Sequence, residues 1–96
     1  MRDDSGRRVL ARDDKRALRA RAHRLRPVVM IGQRGLTEAV MAELNIALEA
    51  HELIKISVRL GTREAGLQAV DTICRDLDAA CVSRIGRTAV LFRPSA

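Results

Sequence analysis

The sequence predicts a single compact α/β domain in which three helices and a mixed four-stranded sheet follow in the order α-β-α-β-α-β-β. Three observations lead there. A chain of 96 residues, 47% hydrophobic and 31% charged, fits one domain able to bury one core without disulfide or metal staples. Four short runs, VVMI, LIKISVRL, CVSRI and TAVLF, read as strands, and helical periodicity fills the stretches between the first three. No apolar run approaches the ~20 residues that a membrane span needs.

Residues 1–9 mix charges with Gly6 and hold no sustained period, so they are expected to form a loose tail ahead of a domain at 10–96. A helix is expected from about Asp13, with Asp13 or Asp14 as N-cap and as acid near its positive end. Pro27 ends it, because the residue before a proline is pushed out of helical geometry. Val28 to Ile31 then read as a short buried strand. Two glycines turn the chain into a second helix capped by Thr37. Val40, Leu44, Ala47, Leu48 and His51 recur on it at helical spacing, with Glu38, Asn45, Glu49 and Glu52 on another face.

From Leu53 to Leu60, apolar Ile54, Ile56, Val58 and Leu60 alternate with Lys55, Ser57 and Arg59, the period of a half-buried strand. It is expected further out in the sheet than VVMI. A third helix from about Arg63 to Asp78 is expected to bury Leu67, Val70, Ile73, Cys74 and Leu77. Gly66 costs that helix ~1 kcal/mol relative to Ala, so its first turn is expected to fray. A Gly86-Arg87 turn joins the last two strands as a hairpin ended by Pro94. AVLF is apolar on both faces, which calls for helices on both sides of the sheet. Helical crossovers make the first three strands parallel and the connections right-handed, with the fourth antiparallel to the third.

Charge is distributed unevenly. Residues 1–34 carry eleven basic and four acidic side chains, a balance of +7, while residues 35–96 carry seven and eight, a balance of −1. Clustered Lys and Arg release counterions condensed on phosphates, so this asymmetry points to a polyanionic partner. The competing reading is solubility together with a bias to arginine, which supplies 16 of the 18 basic residues. At about 100° per residue, Leu18, Ala22 and Leu25 form the buried stripe of the first helix. Arg12, Arg16, Arg19, His23 and Arg26 fall within about 80° on its flank, with Lys15 nearer the core. No carboxylate relieves them, whereas a merely solvated face alternates signs.

The first helix runs toward the start of the first strand and must double back if the two pack together. Four strand residues rise ~13 Å, which a helix covers in about nine residues, so Arg16 and Arg19 are expected level with Gly32-Gln33-Arg34-Gly35. Parallel strands would bring Arg63 and Arg87 to the same edge, where open α/β sheets commonly place ligands. Without side chains, Gly32 and Gly35 let the backbone approach a phosphate, and the next helix offers unpaired N–H groups and partial positive charge. Arg34 adds a forked cation at the tip. The plainer reading is that Gly32 supplies a positive φ for a tight turn.

Other chemistries lack their residues. There is no Trp or Tyr, and Phe92 lies in an apolar strand, so no platform exists for stacked bases and recognition should read backbone and shape. The P-loop lysine and glycine spacing are missing. His23 is expected to contact phosphate and His51 to sit at a helix end; neither stands in a fixed relation to a nucleophile or acid, so no enzyme is expected. Cys74 and Cys81, seven apart, match neither zinc nor redox spacing and are expected to be reduced, at least half-buried thiols. No metal, cofactor, membrane or small-molecule substrate is expected. The first sixteen residues have no apolar core of a secretory signal, which makes the cytoplasm the default location.

The segments LRARAHRLRPVVMIGQRGLTEAV, ALEAHELIKI and IGRTAVLFRP resemble, in that order, the CRM domain (chloroplast RNA splicing and ribosome maturation). From about Leu10 to Pro94 the chain is similar to the bacterial single-domain, YhbY-like members. The resemblance implies an RNA-binding domain similar in fold to the C-terminal domain of translation initiation factor 3. Its GxxG loop would be Gly32, Gln33, Arg34 and Gly35, and its basic helix the one holding Arg16, Arg19 and His23. Plant relatives take part in intron splicing, and the bacterial type is associated with precursors of the large ribosomal subunit. The chain ends at Ala96 without a further basic tail, which puts in doubt any contact made there by longer relatives. The expected function is therefore monomeric, non-enzymatic binding of structured ribosomal precursor RNA. The alternatives are a DNA-binding module and a protein-interaction domain on ribosomal particles.

Overall fold

The computed structural model describes residues 10–94; the tail expected at 1–9 lies outside the described residues. The elements are α1 (Arg12–Ala22), β1 (Pro27–Ile31), α2 (Glu38–His51), β2 (Leu53–Val58), α3 (Arg63–Asp76), β3 (Ala80–Ile85) and β4 (Thr88–Phe92). Their order is the expected one. The strands lie side by side as β1-β2-β4-β3. β1 is parallel to β2, and β4 is antiparallel to both β2 and β3. The first three strands thus run the same way, as expected, with β4 inserted against them.

Two apolar layers sandwich the sheet. On one side Val29, Ile31, Ile54, Ile56, Ala89 and Leu91 pack with Leu44 and Leu48 of α2 and Val70, Ile73 and Cys74 of α3. On the other, Leu18 and Ala22 of α1 pack with Leu53, Val82 and Val90, bordered by Leu25 and Phe92. Each large side chain fully buried in this way contributes roughly 1.5–3 kcal/mol relative to exposure. Cys74 is buried, Cys81 is half-buried, and neither forms a disulfide.

Several expectations need correction. β1, not β2, is the edge strand, and Val28 and Met30 are 52% and 59% exposed. The cause is α1, whose main contacts are with β2 and β3, so it leaves the outer face of β1 uncovered. α1 packs on β2 and β3 rather than along β1. Its N-cap is Ala11, with no side-chain bond; Asp13 and Asp14 sit inside the first turn, where they favour the helix through its dipole. The helix ends at Ala22, ahead of Pro27, and the chain turns with the Leu25 N–H donating to the Ala22 carbonyl at 3.0 Å.

Helices α2 and α3 are capped by threonine: Thr37 Oγ1 accepts from the Val40 N–H at 3.1 Å and Thr62 Oγ1 from the Ala65 N–H at 3.0 Å. In α3, Leu67 is 44% exposed while Gly66 and Ala69 are buried in its place. The first turn of α3 is closed, with the Gly66 N–H donating to the Thr62 carbonyl at 3.2 Å. His51, expected with the apolar stripe of α2, is exposed, whereas Asn45, expected on another face, is half-buried.

Asn45 is held by Arg93, just beyond β4. Arg93 Nη1 donates to Asn45 Oδ1 at 2.8 Å and to the Leu77 carbonyl at 2.9 Å, and Nη2 donates to the Asn45 carbonyl at 3.2 Å. The Arg93 N–H also donates to the Glu52 carbonyl at 2.9 Å, so one residue ties α2 and the end of α3 to the sheet. Arg93→Ala is expected to lower unfolding free energy in urea by about 2 kcal/mol. Arg93→Lys should recover only part of it, because an ammonium lacks the planar fork.

Candidate nucleic-acid interface

The glycine segment is a β-turn at the carboxyl end of β1. The Gly35 N–H donates to the Gly32 carbonyl at 2.9 Å, placing exposed Gln33 and Arg34 at the tip. The two glycines have different reasons to be there. Gly35 has φ +72°, a left-handed conformation that disfavours any side chain. Gly32 has no positive φ, and a Cβ built on it would meet nothing within 4 Å. Nothing inside the chain demands a glycine at 32, and its backbone is open to approach from solvent. The positive φ that a bare turn would need falls on Gly35 rather than Gly32.

The following helix contributes less than expected. Leu36, packed against the core, and Thr37 separate the turn from α2; Thr37 also consumes one N–H as a cap, and exposed Glu38 opens the helix. What the segment offers to an anion is therefore its own backbone and Arg34.

Two hydrogen bonds gather the strand ends. The Arg59 N–H donates to the Ile31 carbonyl at 2.8 Å, and the Val58 N–H donates to the Arg87 carbonyl at 2.7 Å. The glycine turn, the 59–62 connection and the Gly86–Arg87 turn thus form one rim. It carries exposed Arg34, Arg59, Arg63 and Arg87. Arg59 sits between the two turns with its Nε donating to Ser57 Oγ at 3.3 Å. Sequence reasoning read it only as the polar phase of a strand, and its place at the strand terminus was the available signal. Arg63 and Arg87 line one cleft together with Arg84, which was also missed.

On the α1 face, Arg19 and His23 border a hollow with Lys55, Ser83, Ile85 and Thr88. Lys55 lies on β2, two residues before Ser57, which is paired with Met30 at the approach to Gly32. The sheet face between α1 and the glycine turn is thus partly open and carries a cation. Arg12 and Arg16 are exposed on the preceding turns of α1, and Lys15 is half-buried, nearer the core as expected.

Arg26 is set apart. It lies beyond the end of α1 and lines a second hollow with Arg21, Arg24, His51 and Lys55, at the amino ends of β1 and β2. The five residues of β1, about 16 Å of strand, separate it from the glycine turn. Arg26 falls in the stripe only if the helix continues past Ala22, and that segment is turn.

The model of the CRS1/YhbY (CRM) domain matches residues 10–93. The chain belongs to this family. A protein of Haemophilus influenzae named "RNA-binding protein" is 46% identical over 87 residues, covering 91% of this chain and 88% of that one. "Probable RNA-binding protein YqeI" of Bacillus subtilis is 33% identical and covers 91% of each chain. The solution structure of SAV1595 from Staphylococcus aureus, considered an RNA-binding protein, superposes with a TM-score of 0.81 at 30% identity over 92% of each chain.

The two glycines can be separated experimentally. Gly35→Ala is expected to cost about 1 kcal/mol of stability through its left-handed φ. Gly32→Ala should stay within about 0.5 kcal/mol of the parent, since it meets no atom and needs no special φ. Urea titration of both variants measures the difference.

Proposed function

We propose that this CRM domain is a non-enzymatic, monomeric RNA-binding protein of the cytoplasm that grips structured ribosomal precursor RNA during assembly of the large subunit. The observation that carries the reading is Gly32: a half-buried turn position, bare for no internal reason, on a rim with exposed Arg34, Arg59, Arg63 and Arg87. A bare backbone admits a phosphate closely, and guanidinium forks recognise phosphate oxygens in pairs. Relatives that are named RNA-binding proteins support RNA as the polyanion.

Recognition is by path and shape. Phe92 borders the core layer beneath α1, and the chain has no Trp or Tyr, so bases find no aromatic surface on which to stack. In this reading Gly32, Gln33, Arg34 and Gly35 hold one stretch of backbone. Arg19, His23 and Lys55 meet the strand as it crosses the open sheet face, with Arg12, Lys15 and Arg16 adding longer-range attraction.

Arg19→Ala combined with Arg34→Ala is expected to weaken binding to a structured rRNA fragment at least tenfold with an unchanged melting temperature, by filter binding and calorimetry. Unaltered affinity in the double variant would refute the assignment. With four to six phosphates neutralised, log Kd against log salt should have a slope of about 3 to 5 in magnitude. Duplex DNA should compete poorly. In sucrose gradients the protein should travel with large-subunit precursors and leave them on nuclease treatment; retention after nuclease would favour a protein partner instead.

A further inference from the structure

The cleft between α3, the 59–62 connection and the Gly86–Arg87 turn has features that the glycine turn and α1 do not explain. It encloses about 460 Å³, its charged lining residues are Arg63, Arg84 and Arg87, and no carboxylate lines it. Three guanidinium groups sharing one concavity repel one another, and among the described residues Arg84 Nη1 has no hydrogen-bond partner.

Arg84 is placed there by a bulge. Strict alternation would put it on the same face as Val82, toward α1. The register of β3 against β4 instead slips between Cys81 and Ser83, so Ser83 opposes Val90 and Arg84 opposes Ala89, which faces α3. The guanidinium then rests on α3 at Gly66. A Cβ at position 66 would lie 3.1 Å from Arg84 Cζ and would overlap Nη2. Gly66, unfavourable in a helix interior by its propensity, is thus the seat of a cation. Arg84 Nη1 is buried without an acceptor, a costly state for a charged donor. The positive end of α3 opens on the same cleft through Thr62 and Arg63.

We infer that this cleft is a second phosphate site, with Arg84 as its inner cation, Arg63 and Arg87 at its mouth, and Gly66 as the gap that seats Arg84. A phosphate supplies acceptor oxygens to several guanidinium groups at once and removes their mutual repulsion. The inference rests on the RNA reading for the source of the phosphate, which is either an internal phosphodiester or a terminal phosphomonoester of the bound chain.

Arg84→Gln and Gly66→Ala test it. Gly66→Ala keeps the fold, because the atoms in the way are the far end of a flexible side chain and the helix gains an alanine. Inorganic phosphate titrated into nitrogen-15-labelled protein should shift the Arg84 Nε–H resonance saturably in the parent. In Gly66→Ala that response should be lost. Each variant should bind a short RNA hairpin about tenfold more weakly, with the salt slope reduced by about 1. A preference for a 5′-phosphorylated over a 5′-hydroxyl hairpin that disappears in Arg84→Gln identifies a terminal phosphate; equal loss for both hairpins identifies an internal one. A parent that binds no RNA while phosphate still moves Arg84 would refute the RNA reading and leave the anion site standing. A silent Arg84 resonance, with both variants at parental affinity and slope while Arg34→Ala weakens binding, would overturn this inference alone.

Discussion

Burial of β4 on both faces is the constraint on which the rest of the structure depends. Ala89 and Leu91 point to the layer of α2 and α3, and Val90 and Phe92 point to α1. A strand apolar on both sides is stable only with water excluded from both, so it occupies the interior of the sheet and requires helices above and below. Placing β4 between β2 and β3 brings the β3–β4 turn beside the end of β2, where Val58 and Arg87 share a hydrogen bond. It also leaves β1 at the edge, with the glycine turn standing free at its end. The rim is a by-product of burying β4.

That rim explains how a protein without stacking aromatics presents a surface suited to polyanions. The groups it presents are backbone and guanidinium, and neither discriminates between bases. The sheet supplies only spacing, and its hydrogen bonds hold the glycine turn, Arg59 and Arg87 in one row. Where α1 stops short of β1, exposed Met30 and half-buried Lys55 and Ser57 remain between the helix and the turn, so basic groups on two elements border a continuous surface.

The arginines are not interchangeable, although they look alike in the sequence. Arg93 spends its fork on Asn45 and Leu77 and holds the helical layer to the sheet. Arg34 and Arg59 stand at the rim, Arg26 lies at the other end of β1, and Arg84 is turned inward by a bulge. Counting basic residues points to a class of partner, a polyanion. It could not say which residues meet that partner, because Arg93 and Arg34 differ only in what surrounds them.

The sequence by itself determined what depends on neighbours along the chain. Element order, the threonine caps of α2 and α3, the turns at Gly32–Gly35 and Gly86–Arg87, and the two-faced character of β4 are set by periods of two and 3.6 residues and by local backbone chemistry. The tertiary structure alone decided the lateral order of the strands, the edge position of β1, the path of α1 across β2 and β3, and the separation of Arg26 from the rim. Those outcomes arise from competition among apolar surfaces far apart in the chain for the same interior, which no local window contains. The pairing of Gly66 with Arg84 belongs to the same class: a helix glycine and a strand arginine eighteen positions apart acquire a shared purpose only when a one-residue slip in β3 turns one toward the other.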